Sequence, residues 1–345
     1  MTDRSGRRGE GSRPRTVTNA DVAAAAGVST MTVSRVVNGT GRVSEATRQR
    51  VRKAIDDLGY QPNQLARSLT QGRTRTIGIV VPDITNPFFP EIVRGAEDAA
   101  WAAGYTVALA NAVEDQARER AALRNLAGHR VDGVIVCSPR LPDHELTDLL
   151  AAHPAAVLVN RKVHGAPAVS LMVDDLLGAH LAVGHLLGRG RTRLALLGGP
   201  DRSASAKYRR EGFLAAMREA GVGVNEALLT HCEPNEEAGF EAATRWAQAK
   251  GGAPFDGIVA YNDLAALGAV RALNAAGLRV PEDVAVVGCD DIRMASAVAP
   301  SLTTLRIEKY GLGRLAVEMI FALQRGRKPA DKTFAPELIV RESAP

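Results

Sequence analysis

The chain has 345 residues, of which 46% are hydrophobic, so it is long enough for two or three globular domains with substantial cores. It has no run of 18 apolar residues and no apolar N-terminal segment, so we expect neither a membrane span nor a secretory signal, and a cytoplasmic location. Residues 1–75 contain 14 Lys and Arg against 6 Asp and Glu, a net of +8, whereas the whole chain is +5 and residues 76–345 therefore carry −3. A basic excess confined to one end favours contact of that end with nucleic-acid phosphates.

Residues 18–38 read TNADVAAAAGVSTMTVSRVVN and predict two short helices joined by a tight turn. Thr18 and Ser29 are placed to cap the two helices, because a hydroxyl can accept a hydrogen bond from the free N–H groups of the first turn. Gly27 suits the turn, since glycine takes positive φ at little cost. On the second helix, an apolar stripe on one face is formed by Val33, Val36 and Val37. The side chains on the other face point outward and are Thr30, Met31, Ser34 and Arg35. This pattern is typical of a helix-turn-helix DNA reader, with a helical hairpin inside a core as the alternative.

A third helix is predicted from Ser44, its cap, to about Leu58, with Gly59 ending it. Residues 64–70, QLARSLT, can form two helical turns, but their apolar side chains have no local core to enter. The residues by themselves leave two alternatives for this segment: a plain linker, or a helix that forms only when something packs against it.

The chain resembles the LacI/GalR family of transcription factors along most of its length, to about Arg341. The residues that carry the resemblance are Asp21-Val22-Ala23, Ala26-Gly27-Val28-Ser29, Thr32-Val33-Ser34-Arg35-Val36-Val37-Asn38, Arg42-Val43-Ser44, Leu58-Gly59-Tyr60, Pro62-Asn63, Ala66-Arg67-Ser68-Leu69 and Ile77-Gly78-Ile79-Val80-Val81-Pro82.

The resemblance implies roles for the polar side chains of the N-terminal part. Together with their outward positions, it predicts contacts to base edges from Thr30, Met31 and Arg35. Arg35 suits guanine, because a guanidinium can bind O6 and N7 with two hydrogen bonds. Contacts to the DNA backbone are predicted from Thr18, Ser29, Thr32, Ser34, Asn38, Arg42 and Asn63. In the family, the segment matching 64–69 is a hinge helix that folds on DNA and inserts a leucine into the minor groove. The resemblance therefore predicts that Ala66 and Leu69 contact the minor groove.

After the hinge, apolar strand-like runs alternate with amphipathic helical segments such as 92–103 and 264–276. The runs cover residues 76–81, 105–110, 131–136, 155–160, 192–197, 256–261 and 283–288. This alternation predicts an α/β fold with parallel sheets covered on both faces. RVDGVIV at 130–136 is similar to PFDGIVAY at 254–261, which indicates two related halves divided near 163–176.

The resemblance implies the same architecture: two Rossmann-like subdomains of the periplasmic-binding-protein type with a cleft between them. It also implies that the chain crosses back near 302–305 and returns again near 334–340. The resulting domains are a disordered basic tail (1–15), a helix-turn-helix domain (16–61), a hinge helix and linker (62–75) and an effector-binding and dimerisation domain (76–345). Within the last, one half takes 76–163 with 303–325, and the other takes 176–300 with 330–341.

Polar residues follow the ends of four predicted strands, where ligands of parallel α/β sheets bind. The resemblance assigns effector polar groups to Arg209, Asn262 and Asp290, and apolar walls to Phe88 and Phe89. Asn160, Arg161 and Ser205 are further predicted contacts. An arginine fork and an aspartate suit vicinal hydroxyls, which predicts a sugar or sugar derivative. Pro234 stands where relatives with flat or pyranose ligands often have an aromatic, so a stacking wall is missing, and a purine-like corepressor is the alternative.

The motifs of common enzymes are absent from the sequence, including a P-loop, a GxSxG elbow and HExxH. Cys137, Cys232 and Cys289 are far apart and lack metal-binding spacing. We therefore expect no enzymatic activity, no cofactor and no metal. A cytoplasmic solute-binding protein remains an alternative, but a basic helix-turn-helix argues against it. The prediction is a nucleoid-associated transcriptional repressor, a homodimer on a near-palindromic operator, controlled by a small molecule.

Overall fold

The computed structural model describes residues 17–61, 72–248 and 254–345. The chain divides into two compact units, one ending at Thr74 and the other beginning at Arg75, and each is described by itself. The predicted tail at 1–15 and the predicted hinge contacts Asn63, Ala66 and Leu69 lie outside the described residues.

Three helices make up the described part of the N-terminal unit: α1 (Asn19–Ala26), α2 (Thr30–Asn38) and α3 (Glu45–Leu58). They begin and end where the sequence predicts. Thr18, Ser29 and Ser44 cap them, and each side chain accepts from the backbone N–H three residues along. Gly27 ends α1 with a φ of 60°, the left-handed conformation that the turn requires. All three helices contribute buried side chains to one small core: Val22, Ala23, Ala26, Val33, Val36, Val51 and Ala54.

The second unit contains two six-stranded sheets over its described residues, which divide it into a first and a second half. The first sheet has the order β11-β5-β4-β3-β1-β2 and is wholly parallel. The second has the order β12-β10-β9-β8-β6-β7, with only β12 antiparallel. The strands are β1 (Thr76–Val81), β2 (Thr106–Asn111), β3 (Gly133–Cys137), β4 (Ala156–Val159), β5 (Val169–Val173), β6 (Leu194–Gly198), β7 (Leu229–His231), β8 (Gly257–Ala260), β9 (Ala285–Asp290), β10 (Thr303–Arg306), β11 (Lys332–Phe334) and β12 (Glu337–Ile339).

Helices cover both faces of each sheet. Alternate residues of β1 show this, since Ile77 and Ile79 enter one apolar core and Val80 enters another. The helices are α4 (Phe88–Ala102), α5 (Gln116–Gly128), α6 (Asp143–Leu150), α7 (Asp175–Gly188), α8 (Ala204–Glu219), α9 (Glu236–Ala247), α10 (Asp263–Ala275) and α11 (Lys309–Gln324). The predicted fold class, a helix-turn-helix head and an α/β body of two parallel-sheet halves, is confirmed. Within the described part of the chain, no helix has the length and apolar character needed to cross a membrane.

The chain passes between the halves at 174, 307–308 and 335–336, and two of these crossings differ from the prediction. The assignment of 303–325 to the first half is wrong for its first strand, because β10 pairs with β9 in the second sheet. The buried hydroxyls of β10 explain this: Thr304 Oγ1 donates to Asp263 Oδ1 at 2.5 Å, and Thr303 Oγ1 donates to the Arg341 carbonyl at 2.9 Å. The assignment of 330–341 to the second half is likewise wrong for β11, which pairs with β5. Helix α11 joins the first half as predicted.

Helices α4 and α11 of the first half approach each other more closely than any residue with a side chain would permit. A Cβ atom on Gly313 would lie 1.9 Å from the Ile92 carbonyl oxygen, and one on Gly95 would lie 2.1 Å from that of Tyr310. This packing fixes the position of Lys309, the first residue of α11, which reaches across to the second half.

Candidate DNA-reading helix and effector cleft

Helix α2 presents one uncovered polar face. The three predicted base contacts, Thr30, Met31 and Arg35, are all exposed, and Met31 exposes 63% of its surface. Val33 and Val36 enter the core on the opposite side. The Arg35 side chain has no ion-pair or hydrogen-bond partner in the described part of the chain, so its guanidinium is free to bind. The three side chains thus share an outer face of the N-terminal unit.

Several predicted backbone contacts serve first as helix caps. Ser29 Oγ accepts from the Thr32 N–H at 3.1 Å, and Thr18 forms a capping box with Asp21. Ser34 Oγ accepts from Asn38 Nδ2 at 3.1 Å. Thr18, Ser29 and Arg42 are exposed, whereas Thr32, Ser34 and Asn38 are half-buried. A helix N-terminus with free N–H groups is a favourable place for a phosphate oxygen.

The charge of the N-terminal unit is distributed unevenly. Residues 17–61 carry six Lys and Arg against four Asp and Glu, so the helical part is only +2 of the +8 in residues 1–75. Helix α2 itself contains Arg35 and no acidic residue. The larger part of the basic excess belongs to 1–16 and 62–75, the segments that flank the three helices.

In the body, the carboxyl ends of strands from both sheets line two adjoining cavities. One, of about 480 Å³, lies between residues that follow β2 and β3 and residues that follow β6 and β7. The other, of about 600 Å³, lies between residues that follow β3 and β4 and the start of α8. Arg140, Asp201 and Arg202 line both. The strand ends of the two halves therefore meet at one cleft, as expected for a parallel α/β protein.

Arg209 occupies a buried cluster beside this cleft. Its Nε donates to Asp175 Oδ1 at 2.7 Å, and it also donates to the Tyr261 carbonyl. Its guanidinium carbon lies 4.9 Å from the centre of the Tyr261 ring. Tyr261 is also held through its hydroxyl, which lies 3.0 Å from Ser203 Oγ. Arg209 is thus positioned by two side chains and is close enough to Asp290 to lower the pKa of that carboxyl.

Asp290 lies in strained backbone at the end of β9. Its φ is 119° and that of Asp291 is 50°, both in the region that favours glycine. Burial raises the pKa of Asp290 to about 7, although Arg209 and Lys309 lower it. Lys309 Nζ donates to the Asp290 and Asp291 carbonyls, the latter at 3.0 Å, and lies 3.5 Å from Glu91 Oε1. A lysine of the first half therefore grips the strained end of β9 in the second half.

The remaining predicted polar contacts are also buried. Asn262 caps α10, its Oδ1 accepting from the Ala265 N–H at 3.0 Å, and its Nδ2 donates to the Pro234 carbonyl at 3.1 Å. Asn160 is 4% exposed with a φ of 58°, and its Oδ1 has no hydrogen-bond partner among the described residues. Ser205 is buried in the first turn of α8. Asn160 thus retains an unused acceptor at the carboxyl end of β4.

Arg161 and the two phenylalanines occupy different surroundings. Arg161 lines the larger cavity and binds Asp143 Oδ1 at 2.6 Å, so its charge already has a partner outside the Arg209 cluster. Phe88 and Phe89 are each 4% exposed and pack edge to face with ring centroids 5.2 Å apart. They belong to the same apolar core as Cys289, the residue before Asp290. The two rings are therefore core residues at the start of α4.

Four residues of the cleft were not predicted as contacts: Asp175, Tyr261, Arg140 and Lys309. Arg140 had a usable signal, because it follows the predicted strand 131–136 at the same edge as the predicted residues. Asp175 follows β5, which was not among the predicted strands, and Tyr261 was placed inside the predicted run 256–261. Lys309 had no such signal, because it begins a helix of the first half. It reaches the Asp290 carbonyl only because the chain crosses between the two halves just before this helix.

Comparison with known proteins agrees with the two units. The model of bacterial regulatory proteins of the lacI family matches residues 18–63, and the model of a periplasmic binding protein-like domain matches residues 183–344. The second match extends over most of the second half and the closing segments of the body.

Similar proteins extend over nearly the whole chain. The HTH-type transcriptional regulator GalR of Escherichia coli (strain K12) is 36% identical over 94% of both chains. A solved structure of the Lac repressor dimer bound to operator and the anti-inducer ONPF matches with a TM-score of 0.86 and 29% identity, covering 96% of this chain and 99% of that one. The transcriptional regulator CelR in complex with cellobiose matches with a TM-score of 0.71 and 32% identity, covering 96% of this chain and all of that one. With its capped reading helix, two-sheet body and relatives of this similarity, the chain belongs to the lacI family of bacterial regulatory proteins and is a DNA-binding transcriptional regulator.

Proposed function

We propose that the protein is a repressor that binds a near-palindromic operator as a homodimer and whose operator affinity changes when a sugar or sugar derivative binds between the body halves. The observation that carries the effector part is the buried cluster that Arg209 of α8 forms with Asn262 and Asp290, which lie at the carboxyl ends of β8 and β9 beside the cleft. Because the protein acts on DNA, we place it in the cytoplasm. We propose that it acts by binding alone, without a catalytic step, as its relatives are named transcriptional regulators.

The DNA part of the proposal assigns base contacts to Thr30, Met31 and Arg35. Their common exposure on α2 supports it, as does the free guanidinium of Arg35. A two-fold dimer presents two such helices to two half-sites, which is why the operator should be near-palindromic. The solved Lac repressor is a dimer bound to operator, and the same assembly is proposed here.

The effector part rests on the donors and acceptors of the cluster. Arg209 supplies a planar fork of donors, Asp290 supplies a carboxylate when ionised, and Asn160 Oδ1 has no hydrogen-bond partner among the described residues. This combination suits a molecule with several hydroxyl groups. The CelR relative is in complex with cellobiose, which supports a carbohydrate. A purine-like corepressor is the competing ligand class, and the screen below includes it.

Communication between cleft and operator is proposed to run through the hinge. By resemblance to the family, the hinge residues Ala66 and Leu69, which lie outside the described residues, fold and enter the minor groove only with their dimer mates. A ligand that favours one arrangement of the two halves can then favour or oppose this pairing. Lys309 ties the halves together at Asp290, so a ligand contact there acts on both.

The test combines operator selection with a ligand screen on the full chain. Duplexes selected from a random pool should share a near-palindromic sequence, and the bound complex should have the mass of a dimer. A thermal-shift screen of sugars and nucleobases should then give a sugar that raises the melting temperature, because a ligand of the native state alone stabilises it by mass action. That sugar should alter operator affinity.

Matched variants separate the two sites. Asn262→Ala should lose the ligand-induced thermal shift and retain operator binding, whereas Met31→Ala should do the reverse. Selection of unrelated duplexes would overturn the operator part of the proposal. A nucleobase that alone shifts the melting temperature would overturn the sugar and support the purine-like alternative.

A further inference from the structure

The larger cavity of the cleft is lined by an unusual number of cationic side chains. Five of them line its wall of about 600 Å³: Arg140, Arg161, Lys162, Arg202 and Lys207. The two carboxylates in the same wall are Asp143 and Asp201. The cations come from both halves, so they face one open cleft from two sides, and Lys162, Arg202 and Lys207 are exposed.

Three of the five cations are already neutralised. Arg140, whose side chain is 5% exposed, binds Glu114 through two hydrogen bonds of 2.7 and 3.1 Å. Arg161 binds Asp143 at 2.6 Å, and Lys162 binds Asp331 at 3.0 Å. These pairs hold the wall in place, and they leave little of their charge for a ligand.

Arg202 and Lys207 are different, because neither side chain has an ion-pair or hydrogen-bond partner in the described part of the chain. The nearby Asp201 does not supply one, as its Oδ1 lies 2.9 Å from His231 Nδ1. Lys207 lies in the first turn of α8, which contains no acidic residue. A cation at a helix N-terminus is unfavourable, since the helix dipole is positive there. Lys207 is exposed, so solvent screens this repulsion in the free protein, and an anion bound here would be attracted by both the lysine and the helix terminus.

This cavity adjoins the buried cluster, because Arg202 and Ala204 line it and Ser203 between them contacts the Tyr261 hydroxyl. Arg140 lines it, and its charge lowers the pKa of Tyr261, whose ring lies against the Arg209 guanidinium. Tyr208, the neighbour of Arg209, lines it too. A molecule whose hydroxyls bind Arg209 and Asp290 would extend its other end toward Arg202 and Lys207.

From this adjacency and from the two cations without an ion-pair partner among the described residues, we infer that the effector is an anionic sugar, with a phosphate or carboxylate group held by Arg202 and Lys207. This rests on the proposed function and narrows its ligand class. Charge-assisted hydrogen bonds to phosphate or carboxylate are the strongest that arginine and lysine make. A neutral sugar would leave both cations and the adverse helix terminus uncompensated.

The test measures binding of three probe sets to the full chain by calorimetry and thermal shift. These are neutral pentoses, hexoses and disaccharides, then their phosphates with inorganic phosphate as the minimal probe, then the corresponding uronates. The variants are wild type, Arg202→Gln with Lys207→Gln, and a control carrying Arg218→Gln with Lys328→Gln. Arg218 is exposed at the opposite end of α8, and Lys328 is exposed beyond α11, so the control removes the same charge elsewhere.

We expect an anionic sugar to bind wild type at least about tenfold more tightly than its neutral parent, a factor of ten being about 1.4 kcal/mol. The advantage should fall about tenfold in the Arg202 and Lys207 variant, persist in the control, and decrease with added salt. The phosphate and uronate arms identify which anion is bound. Equal binding of a neutral parent, or an advantage that survives in the Arg202 and Lys207 variant, would overturn the inference and leave the proposed function standing. The inference would also be overturned if no anionic probe bound the protein. The proposed function is tested separately, by the binding of neutral sugars and by operator binding.

Discussion

Arg209 and Asp175 form a buried ion pair that joins α8 to the first residue of α7, with 2.7 Å between Nε and Oδ1. Their side chains are 11% and 2% exposed, and Asp175 Oδ2 has no hydrogen-bond partner among the described residues. The pair therefore lies between the effector cluster and the core of the second half. Any ligand that takes hydrogen bonds from Arg209 acts on a side chain that also holds two helices together.

The first prediction concerns the stability of this pair. Arg209→Leu leaves the Asp175 carboxylate buried without a counter-charge, so the free energy of unfolding should fall by about 3–5 kcal/mol. Adding Asp175→Asn should recover part of that loss. Urea denaturation of both variants measures this, with Arg94→Leu as the control, since it breaks an exposed pair worth below about 1 kcal/mol. Additive losses in the double variant would show that the two residues do not act as a pair.

The second prediction concerns the pH dependence of stability at Asp290. Its pKa is about 7 in the folded chain, above the value near 3.9 of a free carboxyl. The folded state therefore holds this proton more tightly, and the stabilisation is present below about pH 4 and lost as pH rises through about 7. Asp290→Asn stays neutral, so its melting temperature relative to wild type should rise between pH 5 and pH 8.5. The exposed Asp148→Asn is the control, and a constant difference for Asp290→Asn would contradict the prediction.

A third prediction concerns Lys309 and effector binding. Lys309 lowers the pKa of Asp290, so Lys309→Met should raise it further. If the ionised carboxylate accepts ligand hydroxyls, the pH at which effector affinity is half lost should move above that of wild type. Calorimetric titrations across pH measure the shift, and Lys309→Arg should restore much of the wild-type profile. An unchanged profile in Lys309→Met would show that Asp290 does not control affinity through its ionisation.

The fourth prediction concerns base reading by Arg35. Arg35→Ala should reduce discrimination between operator and scrambled duplex by about 1–3 kcal/mol, because the lost contact is to a base edge. Arg50→Ala removes an equally exposed charge from α3 and should weaken both duplexes alike. Fluorescence anisotropy at fixed salt measures the affinities of wild type and both variants for both duplexes. Equal weakening on both duplexes by Arg35→Ala would assign this residue to phosphate instead.

The fifth prediction concerns the hinge, whose residues lie outside the described part of the chain. Leu69→Ala should weaken operator binding and reduce DNA bending, because an apolar wedge is lost from the minor groove. Effector affinity in the free protein should not change. Hydrogen exchange over 62–70 should be fast in free protein and slow on operator. Slow exchange without DNA would mean a preformed helix and would exclude coupling through hinge folding.

The sequence by itself determined the local structure of the DNA-reading unit and the class of the body. The caps Thr18, Ser29 and Ser44 bond to residues three positions away, so their action is readable within one helical turn. The alternation of apolar runs and amphipathic segments likewise required two parallel-sheet halves, because a strand covered on both faces must be apolar throughout. Asp290 ends a strand and was within reach of the same reasoning, whereas Arg209 lies within α8 and was identified through the resemblance to the family.

Only the tertiary structure decided which residues surround them. Asp175 lies 34 positions from its partner Arg209, and Lys309 reaches the Asp290 carbonyl from another half of the body. Which half of the body β10 and β11 belong to depended on buried hydroxyls and on strand pairing, and neither can be predicted from a local sequence pattern. The pairing of charges also depends on the tertiary structure. Arg161 and Lys162 are neutralised because Asp143 and Asp331 lie beside them, whereas the structure brings no carboxylate to Arg202 or Lys207 among the described residues. Local hydrogen bonds depend on near neighbours, whereas the composition of a cleft depends on where the chain crosses between its halves.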